Sequence, residues 1–529
     1  MKKLICLLLA VVMAASLAAC GGTASSGSSG SSATSSASSS SDSSSSGSES
    51  SQDSEQPVGR WDTLQTTDEA FTLLVDLHDS MPTINTEPTE EQPVVRTAAN
   101  LVAEQWLADK PNVTLQWAYT TQWGDYEWFT LQMSAGTCPD VISGFNDHAH
   151  EDWFLLLNDV FASPNYYEPG NERWIDMYPE YIMENVMDGN KNYIAVPSTV
   201  YPGAPTTYFC NAEIFDAFEL PHAVTGWEEF IEMMVQVKEG GYTAFAPGGK
   251  LSASCWDFQF SFGPYYGQYF IDQADLDGDE KMDMREVIFA NYTGVFSMVN
   301  NPAVFEMWSY IADKYKLLCD EGYESIDYND AWNNGEVAVI EDGIWRYPTE
   351  LSNTKRDFDF FMMVPPIVTN SEYTVQTEYT EAGPYQPQLS ESFTVIAADW
   401  QDKPSYIEDY AVDFLKCVHN TENFSMIVEE RDGSGIGAMR GCQVPARLAD
   451  WLSQSFPIKP GALLMSYATG TGEQELNTLL EMWVKDMITD DEFKKEWDIA
   501  VYKDMVRAIE EQGIETDDAW VPYVPEGAE

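Results

Sequence analysis

The sequence predicts an α/β protein built on a largely parallel sheet, and three observations near its start carry that prediction. Phe71 to Leu77 is an apolar run that reads as a buried strand. Val94 to Leu107 places apolar residues at helical spacing up to a Pro-Asn break, and Val113 to Tyr119 alternates as a strand does. A strand, helix, strand order of this kind joins parallel neighbours in one sheet.

The alternation continues along the chain. A helix is expected from about Tyr126 to Ser134, stopping at Gly136. Pro221 and Val224 lead into Thr225-Gly226-Trp227-Glu228, a capping box that starts an amphipathic helix through about Lys238. Val304 to Leu318 reads as a helix with aromatic and aliphatic residues on one side. Ala338 to Ile340, Phe360 to Val364 and Phe393 to Ala397 read as short buried strands, and Asp409 to Val418 and Leu476 to Met487 as helices. No internal repeat accompanies them.

The N-terminus is organised differently. Lys2 and Lys3 precede an apolar run, Leu4 to Ala15, too short for a permanent span and followed by small residues, as in a secretory signal. Leu17-Ala18-Ala19-Cys20 resembles the lipobox of bacterial lipoproteins, which implies residues 1–20 as a signal peptide and Cys20 as the lipidated first residue of the mature protein. Acyl chains add roughly 0.8 kcal/mol per buried methylene, enough in pairs to hold a domain at a membrane. Residues 21–58 are mostly Ser with Gly, Ala, Thr and a few acids, and read as a disordered tether. Its some 34 Ser-rich residues give a reach on the order of 30 Å.

The formal net charge of −59, from 27 basic and 86 acidic side chains, excludes nucleic acid as a partner, because a phosphate backbone needs clustered Lys and Arg. It equally opposes docking onto anionic lipid by charge, and fits solubility at an exposed surface. Of 8 cysteines, Cys6 leaves with the signal and Cys20 takes the lipid. Cys138, Cys210, Cys255, Cys319, Cys417 and Cys442 are widely spaced, so neither zinc nor a dithiol redox site is indicated. Both disulfides and buried free thiols are open to them.

Five segments, in order, resemble the bacterial extracellular solute-binding proteins of the maltose-binding type. Ser134-Ala135-Gly136-Thr137-Cys138-Pro139-Asp140-Val141-Ile142 is similar to the turn that ends a helix and enters a strand in that family. Asn190 to Pro197, Asn211-Ala212-Glu213-Ile214-Phe215, and Thr225-Gly226-Trp227-Glu228-Glu229-Phe230 resemble three further pieces. Ala331 to Trp345 resembles a fifth, which closes on Gly-Pro-Trp in relatives. The resemblance spans about 61 to 515, weakest from 245 to 300 and 365 to 390. It implies a two-lobed periplasmic-binding-protein-like fold with mixed, mainly parallel sheets and an interlobe cleft. The first lobe would take 61–205 plus 391–445, and the second 206–390 plus 446–525. Hinge closure on a small ligand is the mode of action such a fold implies.

The resemblance further implies an extracytoplasmic, membrane-anchored monomer that binds a saccharide and delivers it to an ABC permease with a separate ATPase. With 17 Trp and 27 Tyr, the chain can stack aromatic planes on the apolar faces of sugar rings while polar groups bind the hydroxyls. Trp345 matches the cleft tryptophan of relatives. Asp147 lies in Phe145-Asn146-Asp147-His148, where relatives place a loop at the cleft mouth; Asp79, after the first strand, and Trp123 and Tyr201, near the second strand and the first crossover, are further candidates.

Asp275-Leu276-Asp277-Gly278-Asp279-Glu280-Lys281-Met282-Asp283-Met284-Arg285-Glu286 has the offsets of an EF-hand-like loop. Asp275, Asp277 and Asp279, the carbonyl of Lys281, Asp283 and a bidentate Glu286 would supply oxygen ligands to a structural Ca²⁺. Glu280 stands where such loops carry Gly, which weakens the fit. Two other functions remain open. One is a secreted carbohydrate-active enzyme, which needs two carboxyls at a defined separation; the other is an adhesion or signalling module on the same fold. His-Glu-x-x-His, P-loop and Gly-x-Ser-x-Gly signatures are missing, no organic cofactor is indicated, and Gly433 to Gly437 follows a helix, so it reads as a loop.

Overall fold

Among the described residues, ten strands form two mixed sheets in a computed structural model. They are β1 (Phe71–Val75), β2 (Val113–Trp117), β3 (Val141–Ser143), β4 (Val196–Val200), β5 (Thr206–Asn211), β6 (Thr243–Ala246), β7 (Val337–Gly343), β8 (Phe360–Met363), β9 (Leu389–Val395) and β10 (Ile436–Gly437). The structure describes residues 59–528 except 86, 88–94, 121–125, 145–152, 189, 202–205, 225, 254, 279–281, 283, 367, 369, 375–388, 432–433, 445–447, 449–469, 513 and 515. The signal, Cys20 and the tether therefore lie outside the described residues. No described helix is long and apolar enough to cross a membrane.

The first sheet has the order β10-β4-β9-β3-β1-β2 and the second β6-β7-β5-β8. Parallel pairing joins β1 to β2 and β3, and β6 to β7. The other pairings are antiparallel, more than strand–helix–strand alternation alone leads one to expect, because β4, β5 and β9 lie where the chain passes between sheets and run against their neighbours.

The first sheet is covered by the helices Ala98–Leu107, Tyr406–Val418 and Thr421–Glu430, and Trp106 ties two of them by donating its indole N–H to Asp413 at 2.7 Å. The second is covered by Trp227–Glu239, Pro302–Asp313 and the C-terminal helices Gly470–Val484 and Asp490–Gln512. Both faces of β5 are buried, with period-two alternation: Tyr208 and Cys210 join the core that includes Trp227, Trp308 and Trp497, while Phe209 joins the one that includes Trp332 and Phe358.

The recurring motifs have local causes. Asp140 is buried, accepts from the Leu74 amide at 2.8 Å and pairs with Lys403 at 2.6 Å, so it clamps β1 beside β3. Asn211 caps the helix Ala212–Ala217 by accepting from Glu213 and Ile214 amides. Gly335 has φ +74°, the left-handed turn that ends one helix and enters β7. The helix expected after the capping box begins with Gly226 as its N-cap and no side-chain cap bond. The helix expected through Leu318 changes at Lys314 into a π-helical segment, Lys314–Leu318. Cys138, Cys210, Cys255, Cys319, Cys417 and Cys442 are free thiols, and only Cys442 is not fully buried.

Candidate functional site

The C-terminal end of β1 turns sharply into the space between the two sheets. His78 adopts φ +45°, an unfavourable conformation for a residue with a Cβ, and its amide donates to Asp76 Oδ1 at 2.8 Å. Asp76 also accepts from Thr120 Oγ1, so the buried carboxylate pins the turn. Strained turns beyond the carboxyl ends of parallel strands are common ligand crevices.

A cleft of about 400 Å³ opens there. The first sheet contributes His78 and Asp79 after β1, Tyr201 after β4, Ser390 and Glu391 on β9, and Arg431 and Ser434 before β10; the second contributes Trp345, just past β7. The volume suits a small ligand. Of the residues singled out from sequence, Trp345, Tyr201 and Asp79 are brought together on this cleft. Asp147 and Trp123 lie outside the described residues.

Trp345 is half-exposed and meets Tyr201 with ring centroids 6.1 Å apart. Its indole lies so close over Gly343 that a Cβ there would come within 2.1 Å of the ring, which is why the chain carries glycine at that point. Trp256 meets Trp345 edge-on at 5.3 Å and 87°, a second wall that the sequence reading missed.

The floor is a charged network centred on Glu391, which is buried. Arg431 donates to its Oε2 and to Ser80 Oγ at 3.0 Å, and lies 3.6 Å from Asp79. Ser80 donates to Glu391 at 3.1 Å, and His78 Nδ1 is 3.6 Å from it. Arg96 donates to the Asp79 carbonyl. Burial opposes the charge on Glu391, yet Arg431 and His78 outweigh it and hold the carboxyl below its ordinary value. Burial likewise opposes a charge on His78, but Glu391 and Asp79 win and raise it. Both shifts favour ions, so the floor is a satisfied ion network rather than a reactive pair. His78, Glu391, Arg431, Ser390 and Ser434 escaped the sequence reading; the one available signal was the glycine-rich run Gly433 to Gly437, read as a loop, which carries Ser434 and whose last two residues, Ile436–Gly437, form β10.

The acidic loop joins the helices Gly263–Ala274 and Met284–Thr293. Carboxylate oxygens of Asp275, Asp277 and Glu286 lie within 4.8 Å of one another. Glu286 is buried and accepts from the Leu276 amide; Asp275 accepts from the Gly278 amide at 2.7 Å, with Gly278 at φ +80°. Asp279, Lys281 and Asp283 lie outside the described residues.

A model of the bacterial extracellular solute-binding proteins matches residues 90–417, well over half of the chain. Among solved structures, a family 1 extracellular solute-binding protein from Bifidobacterium longum subsp. infantis is 14% identical, with TM-score 0.51, covering 82% of this chain and 99% of that one. A chitin oligosaccharide binding protein is 15% identical, with TM-score 0.53 and coverages of 83% and 99%. A maltose-bound MalE3 of T. maritima is 12% identical, with TM-score 0.52 and the same coverages. No curated protein matches. At these identities the solved structures speak for a shared two-lobed fold.

Proposed function

The chain belongs to the bacterial extracellular solute-binding proteins, and from that premise we propose that it captures a neutral saccharide for an ABC importer by closing its two lobes. The single observation that carries this is the cleft itself, an aromatic wall of Trp345 and Tyr201 facing a floor of hydroxyls and ionised groups. Such a surface stacks on one face of a sugar ring while Asp79, Ser390 and Ser434 take its hydroxyls. Arg431 is engaged by Glu391 and Asp79, so the floor offers no surplus cation to an acidic sugar. The chitin oligosaccharide and maltose binders of the same fold support the ligand class.

In this reading Cys20 carries the lipid, residues 21–58 tether the binding lobes to the membrane, and the monomer hands its ligand to a permease driven by a separate ATPase. Thermal unfolding with a panel of mono- and oligosaccharides tests it. A ligand that binds only the folded state adds RT ln(1 + [L]/Kd), about 2.7 kcal/mol at a hundredfold excess. A saturable rise with one saccharide class, and no product after long incubation, is expected. Product formation would favour the carbohydrate-active enzyme instead, and no rise with any sugar would favour a protein partner.

The acidic loop is assigned a structural Ca²⁺, supported by the convergence of Asp275, Asp277 and Glu286 between two helices. Millimolar calcium is expected to raise the unfolding temperature by a few degrees and chelator to reverse it, on the order of the 1 to 2 kcal/mol of a weak site. Glu286→Gln should abolish the calcium response; a response that survives in this variant would remove the ion from the loop.

A further inference from the structure

Behind the aromatic wall lies a buried ion cluster that the binding reading leaves unused. Lys314, fully buried, opens the π-helical segment Lys314–Leu318; its ammonium donates to Asp257 and to both oxygens of Glu341, at 3.0 and 2.9 Å. Asp257 opens a second π-helical segment, Asp257–Phe262, and accepts from Tyr315 Oη at 3.2 Å. Segments of this kind are rare and concentrate where a side chain must be aimed at the cost of regular helix.

Three connections run from this cluster to the two indoles. Asp257 follows Trp256 directly in the chain. Glu341 Oε2 accepts from the Gly248 amide at 3.1 Å, and Gly248 lies so close beneath Trp256 that a Cβ there would come within 2.9 Å of the ring. Glu341 also stands on β7, which runs on through Gly343 into Trp345. The cluster therefore holds the backbone under both rings of the Trp256–Trp345 pair.

We propose that Lys314, Asp257 and Glu341 are positioning residues for saccharide binding, and that ionised Glu341, by holding Gly248, sets the angle at which Trp256 buttresses Trp345. This rests on the reading of Trp345 as a ligand-stacking residue. One ammonium faces two carboxylates, so the buried cluster carries a surplus negative charge whenever both are ionised. Burial and then the charge of Asp257 push the Glu341 carboxyl up to about 7, against the pull of Lys314. The other titratable groups around it are Tyr208, Tyr315, Cys255 and Cys319, all raised by burial and neutral near pH 7. Lys238, the next cation, is bound to the carbonyls of Leu317 and Cys319. Protonating Glu341 removes an acceptor from Lys314 or Gly248, so affinity is greater above neutrality than below it.

The test uses the full-length protein in detergent, labelled with 5-fluorotryptophan, its Trp256 and Trp345 ¹⁹F signals assigned through Trp256→Phe and Trp345→Phe. Maltotriose, raffinose and chitotriose are the probes, titrated by calorimetry. In the native protein both signals are expected to shift with a midpoint near 7, and affinity for a binding probe to fall about fivefold from pH 8 to pH 6, the scale of one hydrogen bond. In Glu341→Gln both indole signals should stay fixed and affinity should be low, with the fivefold loss from pH 8 to pH 6 gone and only such slope left as His78 on the cleft floor contributes. The variant should unfold at pH 8 no more easily than the native chain, since it loses the surplus buried charge; a merely structural role would not separate binding from stability in this way. Signals that ignore pH, or that titrate equally in Glu341→Gln, overturn the proposal whether or not any probe binds. A titration abolished by Glu341→Gln in a protein that binds none of the probes upholds the positioning role and counts against the saccharide reading.

Discussion

Replacing Trp345 by alanine is expected to weaken saccharide binding by about 30-fold or more, on the order of 2 kcal/mol, the usual loss when a central aromatic anchor is truncated. The indole is 38% exposed, so its removal uncovers little core and should move the unfolding temperature only slightly. What disappears is the plane that Trp256 and Tyr201 hold in place, at 5.3 and 6.1 Å. Calorimetric titration of Trp345→Ala and Trp345→Phe with whichever sugar stabilises the native chain makes the comparison. The phenylalanine variant should retain most of the affinity. Unchanged binding in both would move the ligand off this wall.

The second large effect concerns stability. Arg431→Met leaves Glu391, 3% exposed, as a buried carboxylate that has lost its strongest partner, and breaking such a pair typically costs about 3 to 5 kcal/mol. Urea unfolding at pH 7 is the measurement. Arg431→Met combined with Glu391→Leu should recover much of the loss, because no orphaned charge remains. The pH dependence has a definite sign. Glu391 is held below its ordinary value, so it contributes stability that is present above the range of a free carboxyl and is lost as pH falls through its depressed value. His78 is raised, so its contribution is complete below the ordinary histidine range and is lost as pH rises through its raised value. Native stability should therefore pass through a maximum at mildly acidic pH, and Arg431→Met, lacking the ion that keeps Glu391 charged, should lose its carboxylate-dependent slope at a higher pH.

What the sequence disclosed follows from the range of the interactions involved. Strand and helix periodicities are local, and β1, β2, β7, β8 and the principal helices lie where apolar spacing placed them. Trp345 was legible because it ends a continuous motif whose Gly343 has a steric reason. The cleft floor was not: Ser80 and Glu391 are 311 residues apart and meet only after the chain has crossed to the second sheet and returned. Trp256 escaped for the same reason, lying in the stretch of weakest resemblance and becoming a wall only through Trp345. The apolar spacing that predicts a helix through Leu318 hides its π-helical end, since Lys314 looks like a surface lysine until Asp257 and Glu341 arrive beside it.

The strand order carries a further consequence, for the making of the protein. β9 lies between β3 and β4, and its Glu391 meets Ser143 across 248 residues, after the whole of the second sheet has been synthesised. A chain emerging N-terminus first can complete the four-stranded sheet while β3 and β4 still show one another unpaired edges. Such edges invite pairing with other chains. The order of assembly is thus inverted relative to the order of synthesis, and the nascent first lobe is the part of the molecule that most needs shelter from aggregation until β9 slots into its centre.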